Sequence, residues 1–497
     1  RIMLANQEEE MSEEKTPQNT ANTTPPVPED KAVTTEHSLK LGRKTLEYSV
    51  TAGTMVLKAE DEKEGEKARA SIFYVAYTLK TDTPRAKRPI TFSFNGGPGS
   101  SSVWLHMGLL GPKRVKMDDE GLPLPPPYEL VDNEFTLLED SDLVFIDPVS
   151  TGYSRAVPGQ KPEEFHNVKE DVRSVGDFIT LFTTRNLRWS SPKFLIGESY
   201  GTTRASGLAQ YLQERHGLFL NGIMLISAAL NFATLEFDDG NDLPYPLLLP
   251  TYTATAWYHN KLGPDLQGSL SAALKESEAF AAGDYTLGLM KGSALTKTER
   301  SKLLKQLSRL TGLSSAYLDD HDLRVTVGEY CKELRRSENI TVGRLDSRMT
   351  GYEQNPSGSS IVRDPSYSAI LGPYTGTFYD YVRGDLGFSF DIPYEIIAHL
   401  DKWTWERGRY ADVTGNLRNA FLINPNLKVY VANGFYDMAT PYFSTEYTVN
   451  HLGLPHPLSE RLQMSYFEAG HMMYLQMASL RKLGKELPAF IKDCITQ

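Results

Sequence analysis

The chain alternates short apolar runs with longer amphipathic stretches. Residues 89–94 (PITFSF), 142–146 (DLVFI), 193–196 (KFLI), 222–226 (GIMLI) and 427–432 (LKVYVA) are nearly unbroken in apolar character. Such runs suit strands covered on both faces, as in a parallel sheet, because neither face has to meet water. Helical patterns fall between them. In residues 167–182, for example, Val168, Val172, Val175, Phe178 and Ile179 recur near a 3.6-residue period. Strand and helix in alternation predict an α/β sheet. Ahead of it, residues 46–57 and 70–80 are rich in β-branched and aromatic side chains and are separated by a charged turn containing Gly65, which predicts an antiparallel hairpin.

Two segments break this rhythm. Residues 1–37 are rich in Glu, Thr, Pro and Asn and carry too little apolar surface to order themselves, so they are expected to be a disordered linker. Residues 236–374 are helical and polar in places, as at 297–310, with few strand-like runs. They read as a mainly helical cap inserted between a first core part, 38–235, and a second, 375–497.

Composition narrows the function. With 497 residues, 40% hydrophobic, the chain can bury a large core. A net charge of −11 argues against nucleic acid and anionic membranes, which both need a basic face. No stretch is long and apolar enough to span a bilayer. The cysteines, Cys331 and Cys494, cannot build a disulfide framework or a cysteine metal site, and neither an HExxH nor an EF-hand pattern occurs, so no metal and no cofactor is expected. The first residue is Arg1, which suits a chain whose native start, with a secretion signal, has been removed; the expected location is periplasmic or secreted. Oligomeric state is left open.

The chemistry centres on Gly197-Glu198-Ser199-Tyr200-Gly201, a GxSxG sequence between the KFLI strand and a helical segment, 202–216. In an α/β-hydrolase fold this is the tight strand-to-helix turn that presents a nucleophilic serine. A serine hydroxyl needs a base to take its proton, and in this fold an acid and then a histidine follow it in chain order. Asp437 stands just past the LKVYVA strand, and His471 just past the strand-like run 464–468, so they are the candidates for the acid and the base. The glycine-dense loop Asn95-Gly96-Gly97-Pro98-Gly99-Ser100-Ser101-Ser102 follows the PITFSF strand, where the fold expects an oxyanion donor. The amides of Gly97 and Tyr200 are assigned to that hole. A phosphate-binding loop is the competing reading, but no GK[ST] follows.

These segments together resemble the serine carboxypeptidases. Residues 95–102 are similar to that family's NGGPGCSS signature; Phe145-Ile146-Asp147-Pro148-Val149, followed by Thr151-Gly152-Tyr153-Ser154, to its LDxPVGxGFSY segment; residues 197–201 to its GESYxG elbow; and Ala469-Gly470-His471 to its AGH motif. The resemblance runs from about residue 45 to the C-terminus and weakens in the expected cap. It implies release of the last residue from peptides with a free C-terminus, with Asn95, Gly96 and Glu198 binding the terminal carboxylate. Glu198 must then be protonated to donate to a carboxylate. There are departures. Ser100 stands for the signature cysteine, Leu109-Leu110 precede Gly111-Pro112 where the family commonly has a second glutamate, and Met472-Met473-Tyr474 follow the histidine. These mark a divergent, bacterial-type member. An esterase or acyltransferase with the same triad, or a non-catalytic binding protein on a hydrolase scaffold, are the other readings.

Overall fold

The computed structural model describes residues 27–61, 65–355, 357–400 and 402–496. A ten-stranded sheet runs through it. Its nine longer strands are β1 (Lys31–Leu41), β2 (Lys44–Asp61), β3 (Gly65–Leu79), β4 (Ile90–Phe94), β5 (Asp142–Ile146), β6 (Lys193–Ser199), β7 (Gly222–Ala228), β8 (Lys428–Gly434) and β9 (Leu462–Phe467). Their spatial order is β1-β2-β3-β5-β4-β6-β7-β8-β9, with the two-residue strand Arg155–Ala156 beside β3. The first three strands are antiparallel, and β3 also meets β5 antiparallel. From β5 to β9 every pairing is parallel. Every residue of β4, β5 and β7 is buried, as their unbroken apolar runs require.

Two hydrophobic clusters cover the two faces. On one face, helix α1 (Val168–Arg185) and helix α2 (Tyr200–His216) bring Val175, Phe178, Leu208 and Leu212 against Phe92, Leu195 and Ile223. Asn167, the residue before α1, caps it by accepting from the Glu170 amide. On the other face, the C-terminal helix α7 (Met477–Ile495) brings Leu483, Leu487 and Phe490 against Phe194, Met224 and Tyr430. Helices α3 to α6, used below, are Pro244–Tyr258, Lys297–Thr311, Pro365–Asp380 and Thr414–Ile423.

Two expected boundaries differ from the structure. Residues 31–37, placed in the disordered linker, are in β1 and pair residue by residue with Thr54 back to Tyr48. Their polar composition hid a strand that gains its order from backbone pairing at the sheet edge, not from apolar burial. The first 26 residues of that linker lie outside the described residues. The insertion between β7 and β8 occupies residues 229–427 rather than 236–374. Its first part, including α3 and α4, has a core of its own around Leu249, Tyr252, Leu307 and Tyr330. From α5 onward it rejoins the main body: Ile370, Tyr374 and Phe378 enter the sheet's core, and Leu417 of α6 packs beneath α2.

The site is fixed by how closely the backbone segments cross at the end of β6. A Cβ on Gly197 would lie 2.2 Å from the Gly201 carbonyl oxygen, and one on Gly201 would lie 2.8 Å from that of Phe94. Only glycine allows strand, turn and neighbouring strand to meet this tightly. Gly197→Ala is expected to cost about 1–3 kcal/mol through forced backbone displacement; a denaturant midpoint equal to that of the parent would contradict this close crossing.

Candidate active site

Ser199 ends β6 and precedes the first residue of α2, with φ 60° and ψ −131°. A serine in this left-handed, strained turn is held at the tip of the elbow, half-exposed while its neighbours are buried. Beside it in the sheet, Ala228 is its partner on β7. The preceding residue, Ser227, donates its hydroxyl to the His471 carbonyl at 2.7 Å. This contact carries the histidine loop to the serine's end of the sheet.

Asp437 and His471 stand on the loops that leave β8 and β9. These loops cross so closely that a Cβ on Gly434 would lie 2.3 Å from the Gly470 carbonyl oxygen. His471 Nδ1 and Asp437 Oδ2 are 2.7 Å apart, both buried. The Asp437 carboxylate also accepts the amides of Ala439 (2.8 Å) and Thr440 (2.9 Å) and the Thr440 hydroxyl (2.6 Å). A carboxylate so fully bonded cannot rotate, so the Nδ1 contact directs Nε2 outward. Burial opposes charge on the imidazole, but the charge and hydrogen bond of Asp437, with the charge of Glu198, outweigh it. The His471 pKa therefore lies above the ordinary value. Among the described residues no hydrogen bond joins the Ser199 hydroxyl to the imidazole; such bonds are often long in unliganded sites and tighten with substrate.

The expected oxyanion donors lie together. A Cβ on Gly96 would fall 2.4 Å from the Tyr200 nitrogen, so the glycine loop lies directly against the start of α2. The Tyr200 amide, at the helix start, has no acceptor within the helix. Gly97 is exposed, and its amide donates to no carbonyl among the described residues. Helix start and glycine loop thus present, next to Ser199, two N–H groups without an acceptor among the described residues.

Behind the loop, Asn95 Nδ2 donates to Glu198 Oε1 at 3.0 Å, and Asn95 Oδ1 accepts from the Leu105 amide at 3.1 Å. Burial drives the Glu198 pKa up to about 7, against the lowering effects of His471, the Tyr474 hydroxyl and Asn95. The Tyr474 hydroxyl is close enough to act on Glu198, yet neither it nor Glu198 Oε2 completes a well-formed hydrogen bond; both atoms are buried. Leu109 and Leu110 are core residues, so no carboxylate from that stretch joins Glu198.

Sequence reasoning missed several residues that hold this arrangement. Arg204 and Asp171 form a buried ion pair, Nε to Oδ2 at 2.9 Å. The Tyr200 hydroxyl donates to the same Asp171 oxygen at 3.1 Å, and Arg204 Nη1 donates to the Asn95 carbonyl at 2.6 Å. One guanidinium thus ties together helix α1, the elbow and the glycine loop. Asp147 ties the loop at its other end by accepting the Ser102 amide at 2.8 Å, and burial lifts its pKa to about 7. A carboxylate on the apolar stripe of α1, one position before Val172, was the available signal for Asp171.

The family model for serine carboxypeptidases matches residues 61–356, more than half of the chain. The chain belongs to the serine carboxypeptidase family. The matched residues include the glycine loop and the elbow and stop short of Asp437 and His471. Serine carboxypeptidase-like 46 of Arabidopsis thaliana is 26% identical over 177 residues, covering 34% of this chain and 35% of the relative. The pheromone-processing carboxypeptidase KEX1 of Saccharomyces cerevisiae is 33% identical over 104 residues, 21% of this chain and 13% of the relative. The matches therefore span about a third or less of these relatives' lengths. The crystal structure of the S. cerevisiae prohormone-processing carboxypeptidase KEX1(delta)p shares the fold, with a TM-score of 0.52 over 90% of this chain and 91% of that one, at 16% identity. The fold of this family member is accordingly that of the α/β-hydrolases, as the strand pattern and elbow led one to expect. Cys331 and Cys494 are both free and buried. No helix among the described residues is long and apolar enough to cross a membrane, and no group of His, Cys, Asp or Glu among them is placed to hold a metal ion.

The buried pair yields a stability test. Arg204→Met leaves Asp171 charged and buried and is expected to cost about 3–5 kcal/mol, whereas the double variant with Asp171→Leu should cost clearly less. Urea unfolding of both variants checks this, and equal losses would remove the pair from its bracing role.

Proposed function

We propose that the protein is a serine-type carboxypeptidase that hydrolyses the last peptide bond of peptides with a free C-terminus. Ser199 is the nucleophile and His471 the base, oriented by Asp437. The Ser199 hydroxyl attacks the scissile carbonyl carbon while His471 Nε2 takes its proton. The tetrahedral oxyanion is met by the amides of Gly97 and Tyr200. His471 then returns the proton to the leaving amine, the terminal amino acid departs, and water releases the acyl group from Ser199 by the same steps in reverse roles.

The observation that carries the exopeptidase reading is Glu198. It is buried, bonded to Asn95, and close enough to His471 for each charge to act on the other. Protonated, it donates to a substrate carboxylate; ionised, it repels one. Asn95 and Gly96 frame the same position, and family membership supports the assignment. An esterase or acyltransferase would have no use for a buried proton-bearing carboxyl beside the base. Matched peptides ending in a free acid or an amide separate these readings: strong preference for the free acid supports the proposal, and turnover of simple esters alone would overturn it.

A periplasmic or secreted location belongs to the same reading and draws on family membership; fractionation of producing cells with a specific antibody checks it.

Ser199→Ala is expected to abolish turnover and fluorophosphonate labelling while leaving the unfolding transition in place; retained activity would exclude the triad.

The pH dependence has a definite sign. Carboxylate binding needs protonated Glu198, and that form is lost as pH rises through about 7. The base needs neutral His471, and that form is lost as pH falls through a pKa above the ordinary imidazole value. The two titrations are coupled, so the apparent values belong to the pair. For free-acid peptides kcat/KM should therefore be bell-shaped around neutrality. Glu198→Gln should remove the alkaline fall and, by deleting a negative charge beside His471, move the acid limb to lower pH. An unchanged profile would take Glu198 out of substrate recognition.

A further inference from the structure

The insertion contributes one segment to the rim of the site. Residues 343–349 lie across the loops that carry Asp437 and His471. The Arg344 carbonyl accepts the Met438 amide at 3.1 Å, the Leu345 carbonyl accepts the His471 amide at 2.6 Å, and the Ser347 amide donates to the Tyr436 carbonyl at 3.0 Å. A Cβ on Gly470 would lie 2.5 Å from both the Leu345 carbonyl oxygen and Asp346 Cβ, so the segment is packed directly onto the histidine loop. It is braced from behind by α3: the Ser347 hydroxyl bonds to that of Thr255 at 2.6 Å, and its carbonyl to His259 Nε2 at 2.7 Å. The Arg344 backbone is therefore fixed relative to the catalytic pair.

The segment's two arginines differ in their partners. Arg348 is buried, paired with Asp346 at 2.6 Å, and lies over the Tyr436 ring at 5.7 Å. Arg344 is exposed, and among the described residues its guanidinium forms no ion pair and no side-chain hydrogen bond. Its charge nonetheless reaches inward. It opposes protonation of His471, which Asp437 and Glu198 favour, and it acts on the exposed carboxylate of Glu236 in the insertion. Glu198 approaches the imidazole from the sheet, and Arg344 approaches it from the insertion.

An unpaired guanidinium held at this edge offers a planar, two-toothed donor to an anionic group of the substrate. In the proposed function the terminal carboxylate belongs to Asn95 and Glu198, so Arg344 is left for a second anion. We propose that Arg344 is a specificity-determining residue that selects peptides with an acidic side chain next to the scissile bond. This rests on the carboxypeptidase reading.

The test uses free-acid peptides in matched pairs, Glu against Gln, at the last or the preceding position, with the full chain as parent, Arg344→Gln and Arg344→Lys. The parent should prefer the Glu peptide of one pair. Arg344→Gln should lower kcat/KM on that peptide about tenfold, with the Gln peptide nearly unchanged, and Arg344→Lys should restore part of the loss. Equal slowing of Glu and Gln peptides in Arg344→Gln, or no preference in the parent, would overturn the inference while leaving the carboxypeptidase reading intact. If the parent cleaves no free-acid peptide, that reading fails first. Protection of Ser199 from a fluorophosphonate then reads recognition without turnover: stronger protection by the Glu peptide, lost in Arg344→Gln, supports Arg344, and equal protection overturns it.

Discussion

Everything chemical in this molecule depends on how closely the backbone crosses where β6 turns into α2. The contact is between main-chain atoms: Gly197 against Gly201, Gly201 against Phe94, and Gly96 against the Tyr200 amide. No side chain fits between them. The crossing sets the serine's unusual backbone angles, brings a helix start against the glycine loop, and leaves two amides without acceptors among the described residues. These are separate features of the candidate site, and one steric condition supplies all of them.

A second layer keeps that crossing from relaxing. Arg204 links Asp171 of α1 to the Asn95 carbonyl, while the Tyr200 hydroxyl donates to the same Asp171 oxygen. A buried pair of this kind adds little net stability but punishes any arrangement that leaves a member unpaired, so it favours one geometry over its neighbours. Asp147 does similar work at the far end of the glycine loop. The strained turn is thus held from both sides by hydrogen bonds of buried side chains.

The electrostatics of the site follow from burial. Three donors and an imidazole surround the Asp437 carboxylate. Glu198 has fewer partners and is pushed toward its neutral form. Two carboxyls a short distance from one histidine therefore differ: one is fixed by hydrogen bonds against the imidazole, and the other is driven by burial toward holding a proton. In the proposed function, that division lets a single pocket prepare a nucleophile and accept a negatively charged substrate end.

The parallel strands, the elbow and the loop positions of Asp437 and His471 were legible in the chain because each rests on local rules: unbroken apolar runs for strands buried on both faces, glycines where backbones must touch, and an acid and a histidine just past successive strands. Residues 31–37 were not, since an edge strand is ordered by its neighbour's backbone and leaves no apolar pattern. Arg204, Tyr474 and Arg344 were hidden for a related reason. Each matters through a partner far away in sequence, Asp171, Glu198 or His471, and nothing at its own position announces the encounter. The amino-acid sequence alone settled which groups were available and roughly where each strand would deliver them. Tertiary structure decided which buried charges meet, which amides lie beside Ser199 and which arginine is held against the histidine loop, because those depend on distances that only the packed chain defines.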